Sequence, residues 1–193
     1  MRKPILIILF FLLLSSLHAQ TGCGINQFKA LTIISKKYSL TDLDLDISVQ
    51  LLKKLERDKC YDYIGKKNGH EYVIASRTYL FGQICLKRNS HSAAREYINY
   101  LKREHGSAEE QLSFSFEKIF AKRPEDVLSL LRNDHDLLNQ LGWGFINNHS
   151  AELTEKNCKA VFFKVSPKIR EIYPKYKKEI DYLLNDIANE LKG

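Results

Sequence analysis

Apolar residues recur at helical spacing through most of the chain, and most densely from Glu71 to Phe145. From His70 to Arg88 the residues Tyr72, Val73, Ala75, Tyr79, Leu80, Ile84 and Leu86 form a stripe near the 3.6 period, widened by Phe81 and Cys85. That spacing predicts a helix. Asn89-Ser90 ends it, and Ser90 or Ser92 caps the next, lined by Ala93, Ala94, Tyr97, Ile98 and Leu101. Gly106 closes that helix behind Lys102-Arg103, and Ser107 with Glu110 forms a capping box for a further one. Pro124 opens a short helix to Leu131, followed by one carrying Leu137, Leu138, Leu141, Phe145 and Ile146.

The flanks repeat the pattern. Phe28 to Tyr38 predicts a first short helix and Ile47 to Ile64 a second, closed by Gly65. Asp42, Asp44 and Asp46 alternate as in a calcium loop, but position six from Asp42 is Ile47 and position twelve is Lys53. An EF-hand needs Gly and Glu there, so these acids are read as helix-start residues. Later, Thr154 caps a helix reaching Val165, Pro167 opens one to Tyr173, and Pro174 starts a last one with Ile180, Leu183, Leu184, Ile187 and Leu191. No run alternates in the manner of a strand, and 9 Gly and 4 Pro suit a helical chain.

The expected fold is all-α: about seven to nine helices stacked as antiparallel hairpins in a single domain, an irregular helical-repeat-like array or a bundle. Gly82 and Ala94 stand twelve apart with large apolar neighbours. Over about 34 residues this resembles one tetratricopeptide-like unit, without its aromatic anchors and without a second copy. It is read as close helix-hairpin packing.

The N-terminus changes the picture of where the protein acts. Arg2 and Lys3 precede an apolar run from Ile5 to Leu14, and Leu17-His18-Ala19 suits cleavage. The run is too short to span a bilayer. Residues 1–19 are read as a cleaved signal peptide and 20–193 as the single helical domain, exported to the periplasm or secreted, with no stable membrane span after cleavage. Lipoprotein anchoring through Cys23 is the weaker alternative, because Gln20 and Thr21 suit a lipobox badly. The formal charge of +7 becomes +5 once Arg2 and Lys3 are removed. The remaining lysines are dispersed, so specific nucleic-acid binding is not expected.

In an exported chain Cys23, Cys60, Cys85 and Cys158 suggest two disulfides with three connectivities, Cys60–Cys85 or Cys23–Cys60 being favoured. A buried free thiol is the alternative for Cys85. The cysteines lack the close pairs of a zinc site, the histidines lack H-E-x-x-H, and no cofactor or metal motif is present. Leu141-Gly142-Trp143-Gly144-Phe145 holds the single Trp between two glycines. A core indole at a close helix crossing is expected, with a projecting anchor as the rival. Trp143, Phe145, Tyr97 and Tyr100 are the candidate binding residues, and Asn148-His149-Ser150 has the form of a glycosylation sequon. The expected function is a protein-interaction module whose partner is another protein, such as an inhibitor or immunity-type partner, and more a binder than an enzyme. The alternative is a helical hydrolase or lyase using Asp134, His135 and Asp136 with His105.

Overall fold

The computed structural model describes residues 24–67, 70–104, 110–165 and 167–192. The expected signal peptide, Cys23, His105, Gly106 and the Ser107 cap lie outside them. The fold is mostly helical, with ten helices and one two-stranded sheet among the described residues. The helices are α1 (Ile25–Lys36), α2 (Asp42–Arg57), α3 (Arg77–Arg88), α4 (His91–Arg103) and α5 (Glu110–Lys122), then α6 (Pro124–Leu130), α7 (His135–His149), α8 (Cys158–Val165), α9 (Lys168–Ile172) and α10 (Lys177–Glu190). Strands β1 (Asp62–Lys67) and β2 (His70–Ser76) stand between α2 and α3.

The array is two rows deep. In one row α1 packs on α3, α3 on α5, α5 on α7 and α7 on α10; in the other α4 packs on α6 and α6 on α9. Small residues permit the closest approaches. A Cβ added to Gly82 would lie 2.4 Å from Ser115 Oγ and 2.6 Å from its Cβ, so glycine is what lets α3 and α5 meet. Gly142 does the same for α7 against α10, where an added Cβ would lie 2.9 Å from Asp186 Oδ2 and 3.2 Å from Leu183 Cδ1. The close packing expected at Gly82 is therefore present, but its partner is Ser115 and not Ala94. The aromatic core sits at the same level: Phe81, Tyr97, Tyr100 and Phe116 are fully buried with ring centroids 5.6 to 6.4 Å apart.

Most helix boundaries follow local chemistry. Ser90 Oγ accepts from Ala93 N at 3.2 Å, Asn89 turns the chain with φ of 46°, and Pro124 occupies the first turn of α6. Asp42 and Asp44 lie in the first turn of α2 and act as helix-start residues. Thr41 Oγ1 accepts from Asp44 N at 3.2 Å, and Asp44 accepts from Thr41 N at 3.0 Å in return. The helix begins there, at Asp42, five residues before the expected start.

Three expectations need correction. The helix drawn from Ile47 to Ile64 ends at Arg57, and the one drawn from His70 starts at Arg77; between them runs an antiparallel hairpin. Lys59, with φ of 54°, turns the chain out of helix. Cys85 and Cys158 are buried free thiols, so no Cys60–Cys85 bridge forms. Cys60 lies beyond the end of α2, not on a helix beside Cys85. Tyr38, expected to end the first helix, follows α1 and is fully exposed.

Arg77 joins the hairpin to the helices. It is 2% exposed, its Nη2 donates to Glu104 Oε1 at 2.6 Å, its Nη1 donates to the Cys60 carbonyl at 3.2 Å, and its guanidinium lies 4.2 Å from the Tyr61 ring centre. Next to it Thr78 Oγ1 and Tyr100 Oη share a hydrogen bond of 2.6 Å. Burial pushes the Tyr100 hydroxyl up to about 12, keeping it protonated. Burial also opposes the charge on Arg77, but the Glu104 contact outweighs it and holds the guanidinium above its ordinary value.

Two outcomes follow from these contacts. Arg77→Ala removes the buried guanidinium from the half-buried Glu104 carboxylate and should cost about 3 kcal/mol in urea unfolding, whereas the double change Arg77→Met with Glu104→Met should cost clearly less. Equal losses would show that the pair itself is not what holds the junction. At Asp44, burial raises the carboxyl's pKa, but the bonds from Lys37 and Thr41 outweigh burial and bring it below its ordinary 3.8. Its contribution is complete above that value and is lost as pH falls through the lower folded value. Asp44→Asn should therefore lose about 1 kcal/mol at neutral pH, with the gap to wild type closing below pH 3.8. A gap that persists in acid would point to shape and not charge.

Candidate functional site

The hairpin pairs Asp62 with Ser76, Tyr63 with Ala75, Ile64 with Val73 and Gly65 with Tyr72, and the register shifts between Tyr63 and Ile64. Ile74 is the extra residue of this bulge. The base of the hairpin is anchored. Tyr63 stacks on Phe28 at 6.1 Å, Ala75 packs against the core, and Arg77 N donates to the Tyr61 carbonyl at 3.1 Å. Beyond that base the apolar residues face solvent: Ile64 is 52% exposed, Tyr72 49%, Val73 56% and Ile74 46%. Three consecutive residues of β2 are thus exposed although they alternate across the strand, so neither face of the ribbon is covered at this level. Tyr61 and Tyr79 are also about half exposed. A two-stranded ribbon is marginal alone and leaves strand edges able to pair.

The expected binding residues are placed differently. Tyr97 and Tyr100 are 0% exposed and Phe145 is 2% exposed; all three are core residues and offer no surface to a partner. Their stripes on α4 and α7 face neighbouring helices, which is why their spacing is helical. Trp143 is 38% exposed, contrary to the expected core indole. The room left by Gly142 is taken by α10, and the indole points elsewhere.

Asp134, His135 and Asp136 serve the start of α7. Asp134 Oδ1 accepts from Leu137 N at 3.3 Å and pairs with Lys102 at 3.4 Å, His135 contacts the Tyr182 ring at 4.3 Å, and Asp136 is exposed. No group of three or more His, Cys, Asp or Glu able to hold a metal is found among the described residues.

Polar side chains do converge elsewhere. A groove of about 700 Å³ lies between α3, α5, the end of α7 and the end of α8. Glu117 is 4% exposed; its Oε2 accepts from Asn148 Nδ2 at 3.0 Å, and its Oε1 is 3.5 Å from His149 Nε2. On the other side of the ring, His149 Nδ1 is 3.3 Å from Glu152 Oε1. Leu86, Ala121 and Val165 supply apolar lining, and Lys87, Lys118 and Lys122 add positive charge. The Asn148 amide is engaged inside the fold, so the sequon is not a freely presented acceptor. Nothing local in the sequence marks Glu117, because its partners are 31 and 32 residues away on another helix.

Comparison with protein-family models, curated proteins and solved structures finds no match to this chain.

Proposed function

We propose that the protein is an exported interaction module that binds another protein through its projecting hairpin. The observation that carries this reading is the run Tyr72-Val73-Ile74, half exposed on a ribbon with uncovered faces. Large apolar residues grouped on a surface mark interaction sites, and a ribbon edge can accept an extended segment through backbone hydrogen bonds while Ile64 and Tyr72 supply apolar contact. The partner is therefore a protein presenting an extended, apolar segment. No helix among the described residues is long and apolar enough to cross a membrane. The positive n-region and short h-region support export. The second reading, a hydrolase or lyase, rests on His149 standing between Glu117 and Glu152, and not on Asp134, His135 and Asp136.

Export fits one covalent tie. With Cys85 and Cys158 free, we infer that the tie is Cys23–Cys60, one of the two pairings favoured by the sequence. Gly24, the next residue along from Cys23, lies against Cys60, where an added Cβ would be 3.3 Å from the Cys60 Cβ. Peptide mapping of the exported protein without reductant should recover Cys23 and Cys60 in one linked species and Cys85 and Cys158 as thiols. Free Cys23 and Cys60 after oxidative export would remove the tie.

The interaction itself is tested by affinity capture from the exported fraction with chain 20–193, comparing wild type with a Tyr72→Ser, Val73→Thr, Ile74→Ser variant of unchanged helical circular dichroism. Wild type should retain one stoichiometric protein in low and moderate salt, and the variant should lose about tenfold or more in affinity, as expected when a central apolar cluster is removed. Capture that survives the triple change but fails with Trp143→Ala would move the interface to α7. No retained protein would end the binding reading.

A further inference from the structure

The positive charge of the chain gathers on α8, α9 and the start of α10, away from the hairpin in the sequence. We propose that this face is a docking surface for a bilayer rich in anionic phospholipid, bound peripherally through the phosphate headgroups.

The cations are dispersed along the chain, but their balance with acids is uneven. Residues 156–178 hold eight Lys or Arg and one acid, Glu171, for a net charge of +7. The chain 20–193 as a whole carries +5, so its remainder is slightly acidic at −2. Ion pairing does not remove the excess. Lys164 lies 3.5 Å from Glu152, Lys175 lies 2.7 Å from Glu125, and Lys177 pairs with Asp181. Lys156, Lys159, Lys168, Arg170 and Lys178 are exposed and make no ion pair among the described residues. A concentration of unmatched charge of this kind draws in a polyanion.

Ring contacts join several of these groups into one surface. Phe163 and Tyr173 are both partly exposed and meet edge to face with ring centres 5.8 Å apart. The Arg170 guanidinium lies 6.0 Å from the Phe163 ring centre, and Lys177 Nζ lies 5.9 Å from that of Tyr173. Tyr173 Oη donates to Asp181 Oδ1 at 2.6 Å. The bonds from Lys177 and Tyr173, with the Lys159 charge further off, hold the Asp181 carboxyl below its ordinary range. Lys159 also stands four residues before Phe163 on α8, on the same side of that helix.

The arrangement favours a bilayer over other anions. The five unmatched cations come from α8 and the turn before it, from α9 and from α10, a spread that suits a two-dimensional array of phosphates. Aromatic rings flanked by Lys and Arg settle at headgroup depth, with the rings against the acyl boundary and the cations on phosphate. An acidic peptide would meet the charges but give the ring pair no apolar layer to enter. No helix among the described residues is long and apolar enough to cross a membrane, so the contact is peripheral. The hairpin takes no part, and this docking and the protein-binding reading can fail separately.

The test is vesicle sedimentation with the chain 20–193, comparing phosphatidylcholine alone with an equimolar mixture of phosphatidylcholine and phosphatidylglycerol. Wild type should bind the mixed vesicles only, and more weakly as salt rises. That comparison needs no variant. The triple change Lys159→Gln, Arg170→Gln, Lys178→Gln should lower partitioning by about tenfold to a hundredfold, as expected when three cations leave an anionic surface. A control triple, Lys29→Gln, Lys36→Gln, Lys53→Gln, removes the same charge from exposed positions on α1 and α2 and should partition nearly as wild type. The proposal is overturned if mixed vesicles are not bound in low salt, if the first triple binds as wild type does, or if the two triples lose equally. Tighter binding to soluble polyglutamate than to mixed vesicles at matched anion concentration would also overturn it and assign the face to an acidic protein.

Discussion

A buried guanidinium at the point where a strand becomes a helix is the constraint on which the rest of this structure depends. Arg77 is the first residue of α3, where a positive charge meets the positive end of the helix dipole. Its position is unfavourable on local grounds and is offset only by partners from three other places: the carboxylate of Glu104 after α4, the carbonyl of Cys60 after α2, and the ring of Tyr61 before β1. One side chain thereby fixes the ends of two helices and the entry to the hairpin. The desolvation cost of such a pair makes its contribution to net stability small, while making mispaired arrangements expensive. Its effect is on specificity of arrangement: α3 can start only where the hairpin stops.

The helical array builds outward from that junction by close approach. Gly82 admits Ser115, and the aromatic rings of α3, α4 and α5 fill the space around them. Gly142 repeats the device two helices further along, against α10. Most of these contacts join a helix to the next but one in the chain, as in helical repeat architectures, while α6 with α9 and α7 with α10 reach three helices along.

Much of this was legible in the sequence, and the failures have physical causes. The starts of α4 and α6 were readable because their signals are local: Ser90 bonds to Ala93, and Pro124 fixes its own φ. The all-helical expectation erred at the hairpin because Tyr72, Val73, Ala75 and Tyr79 also satisfy a helical period. A ribbon exposed on both faces lacks the polar–apolar alternation that identifies a half-buried strand, and the bulge at Ile74 shifts what alternation remains. Tyr97, Tyr100 and Phe145 were misread for the opposite reason. Aromatic residues serve cores and interfaces equally well, and only packing distinguishes them. Glu117 and His149 gave no signal at all, since a polar cluster assembled across two helices has no spacing in the chain.

Stability is distributed unevenly over the structure. The helices share a continuous core in which Phe81, Ile84, Tyr97, Phe116, Leu128 and Ile180 are essentially inaccessible, whereas the hairpin beyond Tyr63 and Ala75 adds little to it. Its outer pairs can therefore rearrange at small cost to the array, as expected of the less stable part of a protein. Glu117 and His149 are the reverse case. They are held by α5 and α7, whose packing would have to change before their polar geometry did.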